Sequence, residues 1–153
     1  LEKAIDIIIN AKVQRPTVCN ALDTVLVHEN IADRLLPILA EQFNINKVEM
    51  RGDSQTLKII GRENKISNVC IPATEKDFGT EFLDLIASVK VVDSLNEAID
   101  HIAKYGSRHS EAIIADNKKV QERFLLEVDA GAVFAPRKTT SRTTCAAGDE
   151  AMV

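Results

Sequence analysis

Two periods alternate along this chain, and that alternation limits its folds more than any other feature. Thr24-Val25-Leu26-Val27-His28 is a compact, β-branched run, the composition of a buried strand. It lies between two stretches with apolar residues at helical spacing. Leu1 to Gln14 carries Ala4, Ile5, Ile8 and Ala11, with Ile7 and Ile9 widening the stripe. The stretch from Asn30 to about Asn44 carries Ile31, Leu35, Ile38, Leu39 and Phe43. Pro16 ends the first stretch, because a residue before proline is pushed out of the α region. Asn30 is placed to cap the second and Asp33 to complement its first turn. Pro37, inside that run, predicts a kink or a late start.

The alternation continues. Val48 to Arg51 reads as a short strand closed by a Gly52-Asp53 turn. Leu57 to Ile60 and Val69 to Ile71 read as two more short apolar runs, separated by a polar loop from Gly61 to Lys65. Phe82 to Val92 reads as one long extended run around Val89, Val91 and Val92. Ser94 and Glu97 form a capping box, Leu95, Ala98, Ile99 and Ile102 follow at helical spacing, and Gly106 stands where a left-handed cap is wanted. Ala112 to Ala115 reads as a strand, Asp116 as the cap of a helix with Val120, Phe124 and Val128, and Ala132 to Phe134 as a last strand. Strand, helix, strand, helix, strand with short connections is the βαβ pattern. The expected fold class is α/β, a mostly parallel sheet flanked by helices.

With 153 residues, 45% of them hydrophobic and 27% charged, the chain is long enough for one domain with a sizeable core. No apolar run approaches the roughly 18–20 residues that span a bilayer, so no membrane role is expected. Nineteen basic and 23 acidic residues, scattered along the chain to a net charge of −4, form no electrostatic footprint for nucleic acid. Cys19, Cys70 and Cys145 are widely spaced without a CxxC, so a reducing, cytoplasmic setting is expected. His28, His101 and His109 show no metal-ligand spacing with them, and no metal is assigned. The first residue is Leu1 rather than Met, within an apolar helical pattern and without a secretory leader, which reads as a fragment. Residues 135–153 show neither helical nor strand period and read as an aperiodic tail, disordered or badly placed. The domain proper is therefore 1–134.

GxGxxG after a strand, a Walker loop, HExxH and GxSxG are all absent from the sequence. The positive signal is Arg15-Pro16-Thr17-Val18-Cys19-Asn20, a cysteine between a proline-ended helix and a buried strand. Loops on α/β scaffolds present reactive groups, and a thiolate is a strong nucleophile. The competing reading makes Cys19 a small buried hydrophobe. Cys70 lies in an apolar run and reads as core. His109 and Glu81 sit in loops, where a solvated side chain is the plain alternative.

Taken together, the segments resemble one family. Asn10-Ala11-Lys12-Val13-Gln14-Arg15-Pro16-Thr17-Val18-Cys19-Asn20-Ala21 resembles the nucleophile segment of the glutamate-5-semialdehyde dehydrogenases, or gamma-glutamyl phosphate reductases, of the aldehyde dehydrogenase superfamily. The likeness runs on through Val48 to Asp53, Ala73 to Leu85, Val91 to Leu95, Tyr105-Gly106-Ser107 with His109, Val128-Asp129 and Val133-Phe134. It implies the catalytic domain of an NADPH-dependent reductase that converts glutamyl 5-phosphate to glutamate 5-semialdehyde and phosphate in proline biosynthesis. Cys19 would be the nucleophile that forms a thioester, its backbone N–H an oxyanion donor. Glu81 would contact the nicotinamide ribose of NADP. Arg15 and His109 are assigned to the anionic substrate, which needs cationic partners, against the alternative of a salt bridge or a solvated loop. The resemblance also implies that the family's cofactor-binding half is missing, so these residues alone would be inactive, and that the whole parent self-associates into a homo-oligomer. The family's pattern stops after Phe134, for which a non-native, out-of-frame end is one hypothesis. An aldehyde dehydrogenase acting oxidatively, or a non-catalytic α/β interaction domain, remain as alternatives.

Overall fold

The computed structural model describes residues 1–62, 69–135 and 150–152. Helix α1 (Glu2–Val13) leads into strand β1 (Thr24–His28), followed by α2 (Glu29–Ile45), β2 (Glu49–Gly52), α3 (Ser54–Ile60) and β3 (Cys70–Pro72). A 3-10 turn (Asp77–Gly79) precedes β4 (Ile86–Val92), then come α4 (Leu95–Tyr105), β5 (Ser110–Ile113), α5 (Lys118–Glu127), β6 (Ala132–Phe134) and β7 (Glu150–Met152). The strands form one sheet of order β3-β2-β4-β1-β7-β5-β6, and every pairing in it is parallel. The α/β class, with a parallel sheet flanked by helices, is the one expected.

Successive side chains of a strand point to opposite faces, so the sheet divides the core in two. Val25, Val27, Met50, Val89 and Val91 meet α1, α2 and α3 through Ile5, Ile8, Leu35, Leu36, Leu39, Phe43 and Ile60. Leu26, Val92 and Ile113 meet α4 and α5 through Ala98, Ile102 and Phe124. Central strands covered on both faces are why β1 reads as a nearly continuous apolar run. No helix among the described residues is long and apolar enough to cross a membrane.

Several local expectations are corrected. The cap of α2 is His28, whose Nδ1 accepts the Asn30 N–H at 3.2 Å, so Asn30 lies inside the helix. Helix α2 does not start late but runs from Glu29 through Pro37; six buried apolar side chains, from Ala32 to Phe43, outweigh a missing hydrogen bond that costs about 3 kcal/mol. Leu57 to Ile60 belong to a helix, because Asp53 Oδ1 accepts the Thr56 N–H at 2.9 Å and starts α3 there. Gly52 therefore ends β2 and Asp53 is a cap. Asn117, not Asp116, caps α5. The run from Phe82 becomes a strand only at Ile86. Ser94 Oγ does accept the Glu97 N–H, while the Glu97 carboxylate reaches back to the Asp93 N–H, one residue before the box position.

Gly106 is extended (φ −61°, ψ 146°) rather than left-handed. Glycine is needed there for space, since a Cβ would stand 2.7 Å from the Ile102 carbonyl oxygen. Within the segment read as aperiodic, Glu150–Met152 form β7 between β1 and β5. The rest of that segment from 136 to 149, and the 63–65 part of the polar loop, lie outside the described residues.

Candidate active site

A parallel sheet gathers the N-terminal ends of its strands along one edge, and the candidate residues lie in the segments that enter there. Cys19 precedes β1, Glu81 precedes β4 and His109 immediately precedes β5. The Cys19 loop is two successive turns, with the Val18 N–H donating to the Arg15 carbonyl at 3.4 Å and the Ala21 N–H to the Val18 carbonyl at 3.0 Å. Its far end is tied to α1 by the Leu22 N–H, which donates to the Ala11 carbonyl at 3.1 Å. Cys19 is exposed and reduced, unlike the buried hydrophobe of the competing reading. Among the described residues its backbone N–H has no acceptor, which leaves it available to an incoming oxyanion. Arg15 opens the same loop and is exposed.

The loop is joined to the Glu81 segment by Asp23. Its Oδ1 accepts the Phe82 N–H at 3.2 Å and a hydrogen bond from Lys12 Nζ at 3.4 Å. Lys12 is fully buried on the apolar face of α1. Burial pushes the Asp23 carboxyl above its ordinary range, against the pull of Lys12 and the Phe82 N–H, and the nearby Glu81 charge adds to the rise. The Phe82 ring has two cations near it, 6.0 Å to Lys12 Nζ and 5.1 Å to the Arg51 guanidinium. Arg51 pairs with Asp77 at 2.6 Å, and Asp77 Oδ2 accepts both the N–H and the hydroxyl of Thr74. Burial opposes ionisation of Asp77, yet the Thr74 donors and Arg51 hold its carboxyl below the ordinary range. Glu81 itself is exposed, and among the described residues its carboxylate accepts no hydrogen bond.

The 3-10 turn next to Glu81 also reaches the third segment. Phe78 stacks edge-on against His101 (5.1 Å) and contacts Tyr105 (6.1 Å), while the Tyr105 hydroxyl donates to Glu75 at 2.7 Å. His109 is exposed and its Nδ1 lies 2.7 Å from Ser110 Oγ. In the sheet order β5 stands two strands from β1, a lateral step of roughly 10 Å. The structure thus joins the Cys19 loop, with Arg15 at its start, directly to the Glu81 segment. It sets His109 further along the same edge.

Lys12, Asp23 and Phe82 were not singled out from the sequence. A signal for Lys12 exists, since Ile5, Ile8 and Lys12 share helical spacing and place its charge on the buried stripe. Asp23 and Phe82 carry no local mark, because their bond spans 59 residues. Cys70 is core as read, with burial pushing its thiol up to about 11. Among the described residues no three His, Cys, Asp or Glu side chains are grouped to hold a metal.

A gamma-glutamyl phosphate reductase from Clostridium acetobutylicum is 53% identical over 138 residues, covering 90% of this chain and 31% of that protein. Another, from Dehalococcoides mccartyi, is 54% identical over 136 residues, 89% of this chain and 32% of its own length. This chain is homologous to a segment of the gamma-glutamyl phosphate reductases. It spans about a third of the length of the curated relatives it matches. The crystal structure of the gamma-glutamyl phosphate reductase from Thermotoga maritima superposes with a TM-score of 0.79 at 45% identity, covering 88% of this chain and 31% of that one. Aldehyde dehydrogenase 21 from Physcomitrella patens shares the fold alone, with a TM-score of 0.62 at 13% identity over 93% of this chain and 36% of that one. No family model matches the chain. The reductase relatives therefore cover the stretch that holds the Cys19 loop, the Glu81 segment and His109, on a fold common to aldehyde dehydrogenases.

Proposed function

We propose that this segment supplies the nucleophile of a reductase acting on glutamyl 5-phosphate. The observation that carries the reading is an exposed, reduced cysteine, on a loop hydrogen-bonded to the segment of an exposed carboxylate, in a chain half-identical to gamma-glutamyl phosphate reductases. The Cys19 thiolate attacks the acyl carbon of the phosphoric anhydride, the Cys19 N–H receives the developing oxyanion, and inorganic phosphate leaves with the electron pair of the broken C–O bond. A thioester is left on Cys19, more electrophilic than an oxygen ester. NADPH, when bound, would supply hydride to that carbon. Cys19 would then depart as thiolate from the reduced adduct, releasing glutamate 5-semialdehyde. Arg15 and His109, both exposed on the same edge, are the guanidinium and imidazole partners for the substrate's phosphate and carboxylate.

Glu81 fits a nicotinamide ribose in chemistry, because an ionised carboxylate is acceptor-only and ribose hydroxyls donate. The reading is supported by Glu81 being exposed, with no hydrogen bond accepted among the described residues, just before β4. The reaction belongs to proline biosynthesis in this reading, in a cytoplasmic homo-oligomer. This segment is the chemical part and is inactive without the cofactor-binding part. An oxidative aldehyde dehydrogenase would need a base for hydrolytic deacylation, and no observation here favours that reading.

The test is phosphate- and NADP⁺-dependent oxidation of glutamate 5-semialdehyde by the active reductase. Cys19→Ser is expected to lower the rate roughly a thousandfold or more. Equal rates in the two proteins refute the mechanism.

A further inference from the structure

We propose that Asp23 is a positioning residue, its carboxylate setting the separation between the Cys19 loop and the Glu81 segment. The inference rests on the reading that Cys19 and Glu81 serve one site, and concerns how the fold holds them there. Asp23 stands where the loop becomes β1, and two of its groups point to different elements. Its backbone carbonyl accepts the Ser88 N–H at 2.8 Å, which belongs to the strand ladder with β4. Its carboxylate leaves the ladder and accepts the Phe82 N–H, the amide directly after Glu81. Fixing that amide fixes the peptide plane from which Glu81 projects.

A second observation falls on the same segment. Leu83 is left-handed at φ 52°, a conformation that favours glycine, and its side chain is 49% exposed. Burial of Leu83 therefore does not account for the strained turn, and such outliers persist only where their surroundings determine them. Here the surroundings are the Asp23 bond on the Phe82 amide and the two cations over the Phe82 ring. A buried ion pair such as Lys12–Asp23 is a weak source of stability, because desolvation offsets the attraction. Its best-attested use is to select one arrangement among several. The arrangement selected here is the register of Glu81 against the Cys19 loop.

Stopped-flow kinetics of the active reductase test this. Phosphate release reports attack by Cys19, and cofactor oxidation requires Glu81 in register as well. Asp23→Ala is expected to slow cofactor oxidation about tenfold or more while the phosphate burst stays within about threefold. Asp23→Asn keeps an acceptor oxygen for the Phe82 N–H and recovers most of the lost rate. Amide exchange provides the folding control: in Asp23→Ala the Phe82 amide exchanges at least about tenfold faster while the Ser88 amide keeps its protection. If alanine also releases Ser88, Asp23→Ser, with a hydroxyl too short to reach Phe82, takes its place under the same criteria. Equal loss in both chemical steps, no loss in either, or no recovery with asparagine overturns the proposal. A phosphate burst that survives Cys19→Ser instead refutes the site on which the proposal rests, whatever Asp23 does.

Discussion

His101 shows how far burial alone can move a residue. Its ring is packed against Phe78 and Tyr105, and its Nε2 has no hydrogen-bond partner among the described residues. Burial, helped by the charge of Lys90 and outweighing the opposing Glu97, pushes the imidazole down from 6.5 to about 4. The unfolded chain therefore binds a proton in this range that the folded one refuses. The stabilisation is complete above about pH 6.5 and is lost as pH falls toward 4. Across that window the loss attributable to His101 is on the order of 3 kcal/mol. Urea unfolding of the wild type and His101→Phe at both ends of the window measures it, and an undiminished pH dependence in the variant contradicts this account. Cys19 and Cys70 make the same point through exposure. One is open on a turn in a polar loop, and the other lies in an apolar run, buried with its thiol pushed up to about 11.

At the scale of elements, helix ends decide how the chain enters and leaves the sheet. Helix α2 ends in a Schellman arrangement: the Val48 N–H donates to the Phe43 carbonyl at 2.8 Å and the Lys47 N–H to the Asn44 carbonyl at 3.1 Å. That motif wants glycine at the position of Lys47, which is left-handed at φ 59°. Lys47→Gly is expected to stabilise the fold by about 0.5–1 kcal/mol, the relief of Cβ strain exceeding the added entropy of the unfolded chain. Chemical denaturation checks the sign, and a loss of stability counts against the strain. The strands and amphipathic helices were legible because their periods repeat within a few residues, as in Val25 and Val27 or Leu35 and Leu39. Helix α3 was not, because Leu57 to Ile60 is too short to show a period and its start depends on Asp53. Pro37 left the start of α2 open for a different reason, since its penalty is local and the burial opposing it is tertiary.

Across the whole molecule, the sheet is two parallel halves joined through β7. Ala151 is paired with Val25 of β1 and with Ala112 of β5, and among the described residues no other strand bridges them. Removal of residues 150–152 is expected to strip amide protection from β5 and β6 while the β2–β4 ladder, through Met50 and Ala87, stays protected. Unchanged exchange in β5 would show that the halves hold together without that strand.

The sequence by itself determined the α/β class and the place of Cys19 between a proline-ended helix and a buried strand. Its likeness to gamma-glutamyl phosphate reductases was legible too, in blocks from Asn10 to Phe134. Each of these is written in neighbouring residues, where helical or strand period and steric preference act over a turn or two. Only the tertiary structure decided that Asp23 would hold the Phe82 amide, that Lys12 would lie buried beneath them, and that His109 would stand two strands away. Those relations follow from strand order and from which face each helix covers. The energies that choose among orders are sums of burial over the whole core, so no local window contains them.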